Sequence, residues 1–488
     1  MEANKSDRHV FSRDHLDYLF DSVRGKTLGE IDSAHVFNIT QSNKKVTGIA
    51  GDVIEQSVLG YPADSKQEPD LIVDGEEVEL KTTGLRYSKK DKGLEGKEPM
   101  SITGVSLKTI AGETFYTSNF WHKLKRMLIV YYLYDSDRTV PAGEYARFEI
   151  KGHQFHSFSA DEEQTLRNDW QMVHDYVERV QREAGTEEEL KCGYARLSSA
   201  LRPDLMMIDT APKYPNPPRF RLKRSVVTYM ARKVFKDGME MLPCSVSSFR
   251  ELDMKLGEVA AEYRGKRIGE VAERLGVRGR MSAKSTSERI LVAMLGGTGK
   301  AHNIDLFVKT GIKIKSLVIT NTGKRTEDMK LCGIDFNDLA SCEEYDASAL
   351  RDCLTSPCII AVFQEPRPKA PFADNVFLGF KRFTFPDELV DGDAKAVWSE
   401  CRRLVVEGAL RETPVCRAGT CEPIINKAGT IKTQLNFPKS RDHILFVRGT
   451  SSDSTNKPEC VNGIRMYRQQ FWIKGSYMVE KLQEIDWI

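Results

Sequence analysis

The spacing of apolar positions along the chain predicts a mixture of helices and strands. Through Thr47–Leu59 the residues Ile49, Val53 and Ile54 fall on one side at helical spacing. Leu71–Val73, Asp74-Gly75 and Glu77–Thr82 read as strand, tight turn and strand, because Asp-Gly suits a turn that needs positive φ. Met127–Tyr134 is continuously apolar and β-prone, as a buried strand is. Leu166–Ala184 is a long charged helix, Pro212 to Pro218 a proline-rich loop, and Ser225–Phe235 a helix behind it. The predicted fold class is α/β, a mixed sheet flanked by helices.

The pattern occurs twice. Arg24-Gly25-Lys26-Thr27-Leu28-Gly29-Glu30-Ile31 returns as Arg264-Gly265-Lys266-Arg267-Ile268-Gly269-Glu270-Val271. Each copy precedes a helix-period stretch ending in Leu-Gly, Ile54 to Gly60 and Ile290 to Gly296. After each comes an aspartate expected to lead into a short strand, Asp70 and Asp305. Phe220-Arg221-Leu222-Lys223-Arg224-Ser225 is echoed by Phe471-Trp472-Ile473-Lys474-Gly475-Ser476. Four anchors in one order predict two tandem copies of one fold, residues 1–240 and 241–488. The length of 488 residues, beyond what one core usually supports, agrees.

Composition changes this picture little. Forty per cent hydrophobic and 29% charged residues describe an ordinary globular protein. The polar start, MEANKSDRHV, does not read as a secretory signal, and the apolar run Leu128–Leu133 is too short to span a bilayer. A bacterial cytoplasmic protein is expected. The ten cysteines, Cys192 to Cys460, form no CxxC; Cys353/Cys358 and Cys416/Cys421 lack partner clusters for zinc. They are expected to be reduced, partly buried thiols. His153 and His156 are expected to be a surface pair. Gly296-Gly297-Thr298-Gly299-Lys300 misses the phosphate-loop pattern, since position 294 is Met and 301 is Ala. Net charge is +2, so any nucleic-acid contact must come from local clusters such as His122–Arg126 and Arg219–Arg224.

The stretch Asp70-Leu71-Ile72-Val73-Asp74-Gly75-Glu76-Glu77-Val78-Glu79-Leu80-Lys81 carries candidate chemistry. Side chains alternate along a strand, so Glu79 and Lys81 project to one face and the hairpin returns Asp70 beside them. Carboxylate oxygens are the hard ligands that magnesium takes, and an adjacent ammonium can position water or offset charge. Glu77 shares that face, which leaves the register of the acidic ligand open. Taken alone, the string also suits a solvated hairpin.

Its company is more specific. Thr47-Gly48-Ile49-Ala50-Gly51-Asp52-Val53-Ile54-Glu55, then Leu59-Gly60, Asp70 and Glu79-Leu80-Lys81-Thr82, resembles the MutH family. That family joins the mismatch-repair nicking endonuclease to restriction enzymes of the Sau group that cleave GATC. Thr117-Ser118-Asn119-Phe120-Trp121-His122-Lys123-Leu124-Lys125-Arg126 and Phe220-Arg221-Leu222-Lys223 followed by Tyr229 resemble two further segments of it. The resemblance implies Asp70 and Glu79 as Mg²⁺ ligands, Lys81 as catalytic lysine, Glu55 as a helix-borne glutamate completing the acidic site, and Lys123 near the scissile phosphate. It implies DNA contacts at Lys223 and Arg221, and an arginine-bearing recognition loop between Gly193 and Pro203, where Arg196 and Arg202 are both candidates.

Aligned on the same anchors, the second copy has Leu291 opposite Glu55, Asp305 opposite Asp70, Lys313 opposite Glu79 and Lys315 opposite Lys81. Acidic positions have become apolar or basic. This copy is expected to hold no metal while Lys313, Lys315, Arg448 and Lys474 meet DNA. The expectation is a Mg²⁺-dependent type II restriction endonuclease on double-stranded DNA, engaging two sites or forming a dimer on DNA. A MutH-like nickase and a non-enzymatic DNA-binding protein are the alternatives.

Overall fold

The structure is a computed structural model describing residues 9–43, 46, 48–61, 70–88, 92–136, 138–235, 238–243, 245–279, 284–323, 327–417, 419–425, 429–451 and 456–488. They gather into two compact units. One comprises Met1–Ser136, Val140–Val259 and Ser287–Ile312; the other comprises Asp137–Thr139, Ala260–Thr286 and Lys313–Ile488. Residues 241–259 and 287–312 thus fold with the first unit, although the sequence repeat divides near residue 240.

The first unit is built on a mixed sheet of order β1-β2-β3-β6-β7. Its strands are β1 (Val10–Phe11), β2 (Leu71–Val73), β3 (Glu76–Tyr87), β6 (Met127–Leu133) and β7 (Glu149–His156), with β4 (Leu94–Gly96) on the far end of β3. β3 runs parallel to β6 and antiparallel to β2, and β6 runs antiparallel to β7. A smaller sheet orders β5 (Met100–Gly104), β9 (Arg219–Leu222) and β8 (Ile208–Ala211). Around them lie α1 (Arg13–Val23), α2 (Ile39–Ser42), α3 (Ile49–Val53), α4 (Asn119–Leu124), α5 (Ala160–Glu183), α6 (Glu187–Leu201), α7 (Arg224–Val234) and α8 (Phe249–Tyr263), the last up to Val259. The core beside the main sheet joins Leu16 and Phe20 of α1, Val53 of α3 with Ile54, and Leu128 and Val130 of β6.

The second unit repeats the design. After α9 (Ile268–Arg274), and after α10 (Lys284–Met294) and α11 (Asp305–Thr310), whose residues from Ser287 on fold with the first unit, come β10 (Lys313–Ile319) and β11 (Met329–Gly333). Next are α12 (Phe336–Ser341), α13 (Ala349–Thr355), β12 (Cys358–Gln364), β13 (Val376–Phe383) and α14 (Ala394–Val406). β10 runs parallel to β12, and β12 antiparallel to β13, as β3, β6 and β7 do. Two small hairpins follow, β14 (Glu412–Pro414) with β15 (Thr433–Leu435) and β17 (Glu459–Val461) with β18 (Ile464–Met466). β11, β19 (Gln469–Ile473) and β16 (Leu445–Gly449) form a second sheet like β5-β9-β8, closed by α15 (Gly475–Gln483).

Details coincide. The β6–β7 register breaks beside Gly152 (φ 152°), and the β12–β13 register breaks beside Gly379 (φ 141°). Gly25 N–H donates to Ile150 O at 2.9 Å, and Gly265 N–H donates to Phe377 O at 2.9 Å. Both glycines take φ 81°, which an L side chain resists, and this explains why the repeated segment keeps them.

Several expectations need correction. The helix predicted over Thr47–Leu59 is α3 followed by one π-helical turn, Ile54–Val58; Thr47 lies outside the described residues. Asp305 opens α11 instead of leading into a strand, and the chain turns at Gly311 (φ 71°) before β10. The loop expected between Gly193 and Pro203 is mostly helix α6. Thr186 caps it, three glutamates fill its first turn, and Gly193 lets it press against Val180 of α5. His153 and His156 are strand residues of β7, and His156 is buried, not on the surface. Nine described cysteines are free thiols, in line with the expectation of reduced cysteines.

Candidate active site

Asp74 (φ 48°) and Gly75 (φ 83°) form the tight turn that folds β2 back on β3. That turn pairs Leu71 with Val78 and returns Asp70 to the start of the hairpin. There Asp70 Oδ2 accepts the Leu80 N–H at 2.9 Å, which fixes the carboxylate's orientation one strand from Glu79. The sequence alternation holds: Glu79 and Lys81 share a face, and Lys81 Nζ donates to Glu79 Oε1 at 2.6 Å.

Lys123 arrives from another element. Ser118 caps α4 by accepting the Trp121 N–H, and the short helix runs straight into β6, whose Met127 pairs with Glu79. The last turn of α4 therefore lies over Glu79, and Lys123 Nζ donates to both its oxygens at 2.9 and 3.1 Å. Glu79 is 2% exposed. A carboxylate so buried needs hydrogen-bonding partners, and two ammoniums supply them. Burial and then the charge of Glu79 push the Asp70 carboxyl above its usual range, against Lys81, the Leu80 N–H and Lys123.

Glu77 is engaged elsewhere. It takes Lys125 and His122 at 3.2 Å each, and Glu76 takes Arg126 at 2.7 Å. These exposed pairs also occupy much of the basic cluster His122–Arg126.

Glu55 sits half-buried in the π-helical turn after α3. The helix approaches β3 closely because Gly51 faces the Thr82 hydroxyl with no side chain between. A single π turn inside a helix re-aims side chains and is frequent at functional sites. Among the described residues, the acidic and histidine groups drawn within 4.8 Å of one another are His174, Asp175 and Glu178 of α5, so Glu55, Asp70 and Glu79 are not gathered that tightly. The donor set Asp70–Glu79 nevertheless fits a hard divalent cation: two neighbouring carboxylates, one raised by burial and then by the other's charge, with further ligands left to water and substrate.

The predicted DNA-contacting residues are dispersed. Arg221 on β9 is held by Asp209 on β8, Nε at 2.6 Å and Nη2 at 3.0 Å. Lys223 donates to the Leu205 carbonyl, and burial holds its ammonium below the usual range despite Asp169 and Asp209. Arg196 lies on α6 and Arg202 is its C-cap. In the second unit Lys313 donates to the Cys353 carbonyl at 3.2 Å and Lys315 to the Lys330 carbonyl at 3.3 Å. Arg448 pairs with Asp328 at 2.7 Å, and Lys474 precedes α15.

Two carboxylates of the first unit escaped the sequence reading. Asp169 is buried in α5 and accepts the N–H groups of Met206, Met207 and Ile208 at 2.9, 2.7 and 3.1 Å, anchoring β8. Burial raises its carboxyl to about 6, with those N–H groups and Lys223 opposing. Asp393 repeats this by accepting from Ile444 and Leu445 N–H at 2.9 and 2.8 Å. Asp209, clamping Arg221, is the other. Neither sits in a recognisable motif.

Residues 59–169 match the model of the DNA mismatch repair enzyme MutH. The chain is 23% identical over 506 aligned positions to the type II restriction enzyme Sau3AI of Staphylococcus aureus, covering 94% of this chain and 96% of that one. It is 34% identical over 160 residues to the mismatch repair protein MutH of Actinobacillus pleuropneumoniae serotype 3 and 31% identical over 160 to that of Yersinia enterocolitica. Each MutH match covers 32% of this chain and 63% of the relative. Over residues 59–169, which hold the hairpin and both lysines, the chain is thus similar to MutH, and over nearly its whole length it is similar to a type II restriction enzyme.

Proposed function

We propose that this protein is a type II restriction endonuclease that hydrolyses both strands of duplex DNA at a short palindromic site, GATC, in the bacterial cytoplasm. The reading is carried by one observation, the convergence of Asp70, Glu79, Lys81 and Lys123 at a buried point of a MutH-type sheet. Asp70 and Glu79 would hold Mg²⁺, with Glu55 completing the acidic shell. When bound, the ion supplies Lewis-acid polarisation and charge neutralisation at the scissile phosphate. Lys81 orients the attacking water, and Lys123 offsets charge growing on the phosphate oxygens. Water oxygen bonds to phosphorus, the bond to the 3′ oxygen breaks, and that oxygen takes a proton, leaving a 5′-phosphate.

In this reading residues 1–240 carry catalysis, and residues 241–488 are a degenerate copy that binds a second DNA site. Two sites on one molecule can share a coupling free energy, and a dimer on DNA would serve the second strand. Arg221, Lys223 and the α6 arginines Arg196 and Arg202 would face DNA in the first copy; Lys313, Lys315, Arg448 and Lys474 would in the second. Coverage of nearly the full length of a restriction enzyme favours this over nicking, and the short MutH matches favour a nickase.

Supercoiled plasmid carrying GATC sites separates the readings. Incubation with Mg²⁺ should give linear fragments with 5′-phosphates at GATC, and EDTA should stop it. Open circles alone would indicate a nickase, and binding without cleavage a non-enzymatic protein. Glu79→Ala should abolish cleavage while DNA binding persists.

A further inference from the structure

The chain before the first helix of each copy ties together two segments distant from it in sequence. In the first copy His9 precedes β1, which runs parallel to β2 with Val10 opposite Ile72 and Phe11 opposite Val73. His9 Nδ1 lies 2.8 Å from the Asp70 carbonyl oxygen, 61 positions further along the chain. A carbonyl only accepts, so Nδ1 carries the hydrogen and donates it. The same ring packs on Tyr61, which is 4% exposed, with the ring centroids 4.2 Å apart. Tyr61 N–H in turn donates to the Glu55 carbonyl at 3.1 Å, just past the π-helical turn. One imidazole thus joins the backbone of Asp70 to the turn that carries Glu55.

The second copy builds this clasp from other groups. Glu240 precedes α8 and pairs in parallel with Ile304, the residue before Asp305. Its N–H donates to the Asn303 carbonyl at 2.8 Å, and its carbonyl accepts the Asp305 N–H at 3.0 Å. Its carboxylate accepts the N–H groups of Thr298 and Gly299, which follow the Leu295-Gly296 anchor, at 2.6 Å each. The same two segments are tied, one after Leu-Gly and one at the aspartate. Here, though, Leu291 and Lys313 stand where the first copy has Glu55 and Glu79. The clasp belongs to the repeat, and in the first copy the segments it ties bear the candidate metal ligands.

We infer that His9 is a positioning residue of the metal site, holding the Glu55 turn and the Asp70 backbone at one spacing. The inference rests on the nuclease reading, in which Asp70 and Glu79 take Mg²⁺ and Glu55 completes the acidic shell. Asp70 is held from two directions, its carbonyl by His9 and its Oδ2 by the Leu80 N–H at 2.9 Å. Glu55, Asp70 and Glu79 are not gathered within 4.8 Å, so their side chains must close on an arriving ion. With the backbones already spaced, closure orders only side-chain rotamers; without the clasp it must order two chain segments as well. Groups that hold metal ligands in place are worth about 10- to 100-fold in metal affinity. His9 acts through Asp70 and Tyr61, so its loss weakens capture of the ion more than the chemistry that follows.

The test compares the full-length protein with its His9→Ala, His9→Phe and Glu240→Ala variants. Single-turnover cleavage of a GATC duplex is measured across Mg²⁺ concentrations. Mn²⁺ capture is measured separately, from the fall of the free ion's electron paramagnetic resonance signal. His9→Ala should raise the half-saturating Mg²⁺ concentration about 10-fold and weaken Mn²⁺ capture to match. The rate reached at excess Mg²⁺ should fall far less. His9→Phe keeps a ring against Tyr61, which protects the fold, but lacks the donor, so it should shift both readings in the same direction by several-fold. Glu240→Ala removes the clasp that ties no metal ligands; it should lower the melting temperature and leave the Mg²⁺ requirement unchanged. Wild-type Mg²⁺ and Mn²⁺ dependence in both His9 variants, or an equal shift in Glu240→Ala, would overturn the inference while the nuclease reading stands. A wild-type chain that captures no Mn²⁺ and cuts no DNA would overturn that reading, and this inference with it.

Discussion

Glu79 and Lys313 stand at the same point of two identically paired sheets and carry opposite charges. Exchange at that point alone should not make a second catalytic centre. Asp70 reaches Glu79 through a hairpin, whereas Asp305 opens a helix. In a Glu79→Ala background, Lys313→Glu should therefore restore no Mg²⁺-dependent cleavage. Cutting by the double variant above the single one would show that the second unit still holds a full ligand set.

Lys123 is predicted to act on chemistry more than on folding. Lys81 remains 2.6 Å from Glu79 when Lys123 is removed, so the buried carboxylate keeps one partner. Lys123→Ala should slow single-turnover cleavage on the order of 10²- to 10³-fold at saturating Mg²⁺. An unchanged rate in rapid-quench measurements would remove Lys123 from the reaction.

Arg221 is pre-oriented by its two-point contact with Asp209, an arrangement suited to reading a guanine edge. Arg221→Ala should weaken binding to a GATC duplex by about 1–3 kcal/mol and non-specific binding much less. Asp209→Ala should follow in the same direction with a smaller effect. Competition titrations at fixed salt decide; equal losses for both duplexes would make Arg221 a phosphate contact.

His156 sets a limit on acid stability. Burial, with Lys233 nearby and Glu162 opposing, pushes its imidazole down to about 4. The unfolded chain binds this proton at higher pH than the folded one, so the stability from keeping it neutral is complete above about 6.5 and fades as pH falls toward 4. The loss is about 3 kcal/mol. In urea titrations His156→Gln should lose correspondingly less stability than wild type across that window; parallel profiles would mean the group is not buried neutral.

Gly193 lets α6 press against Val180 of α5, where any β-carbon would collide. Gly193→Val should destabilise the first unit by about 1–3 kcal/mol. A denaturation midpoint equal to wild type would show that the two helices separate at little cost.

Legibility in the sequence followed how local the cause was. The β2–β3 hairpin could be read because positive φ at Asp74 and Gly75 demands that dipeptide, and strand alternation then fixed Glu79 and Lys81 on one face. The duplication could be read because Gly25 and Gly265 hold identical strained turns. The π turn at Glu55 was hidden, since the same residues suit an ordinary helix. Helix α6 was missed where the family resemblance suggested a loop, although Thr186 and its glutamates are a strong local start signal. Asp169 and Asp209 acquire their roles only from partners distant in sequence, Met206–Ile208 and Arg221.

The stretch Ser287–Ile312 comes after the repeat boundary yet folds with the first unit. Arg232 of α7, 7% exposed, gives a guanidinium proton to the His302 carbonyl at 3.0 Å, and the Gly311 turn is packed on Ser225. A gene trimmed at codon 240 would leave that guanidinium the Leu94 carbonyl but take away the His302 one, and would bare the flank of α7. The earlier half of the chain thus borrows part of its scaffold from the later, and a fragment meant to hold the first unit must extend past Gly311.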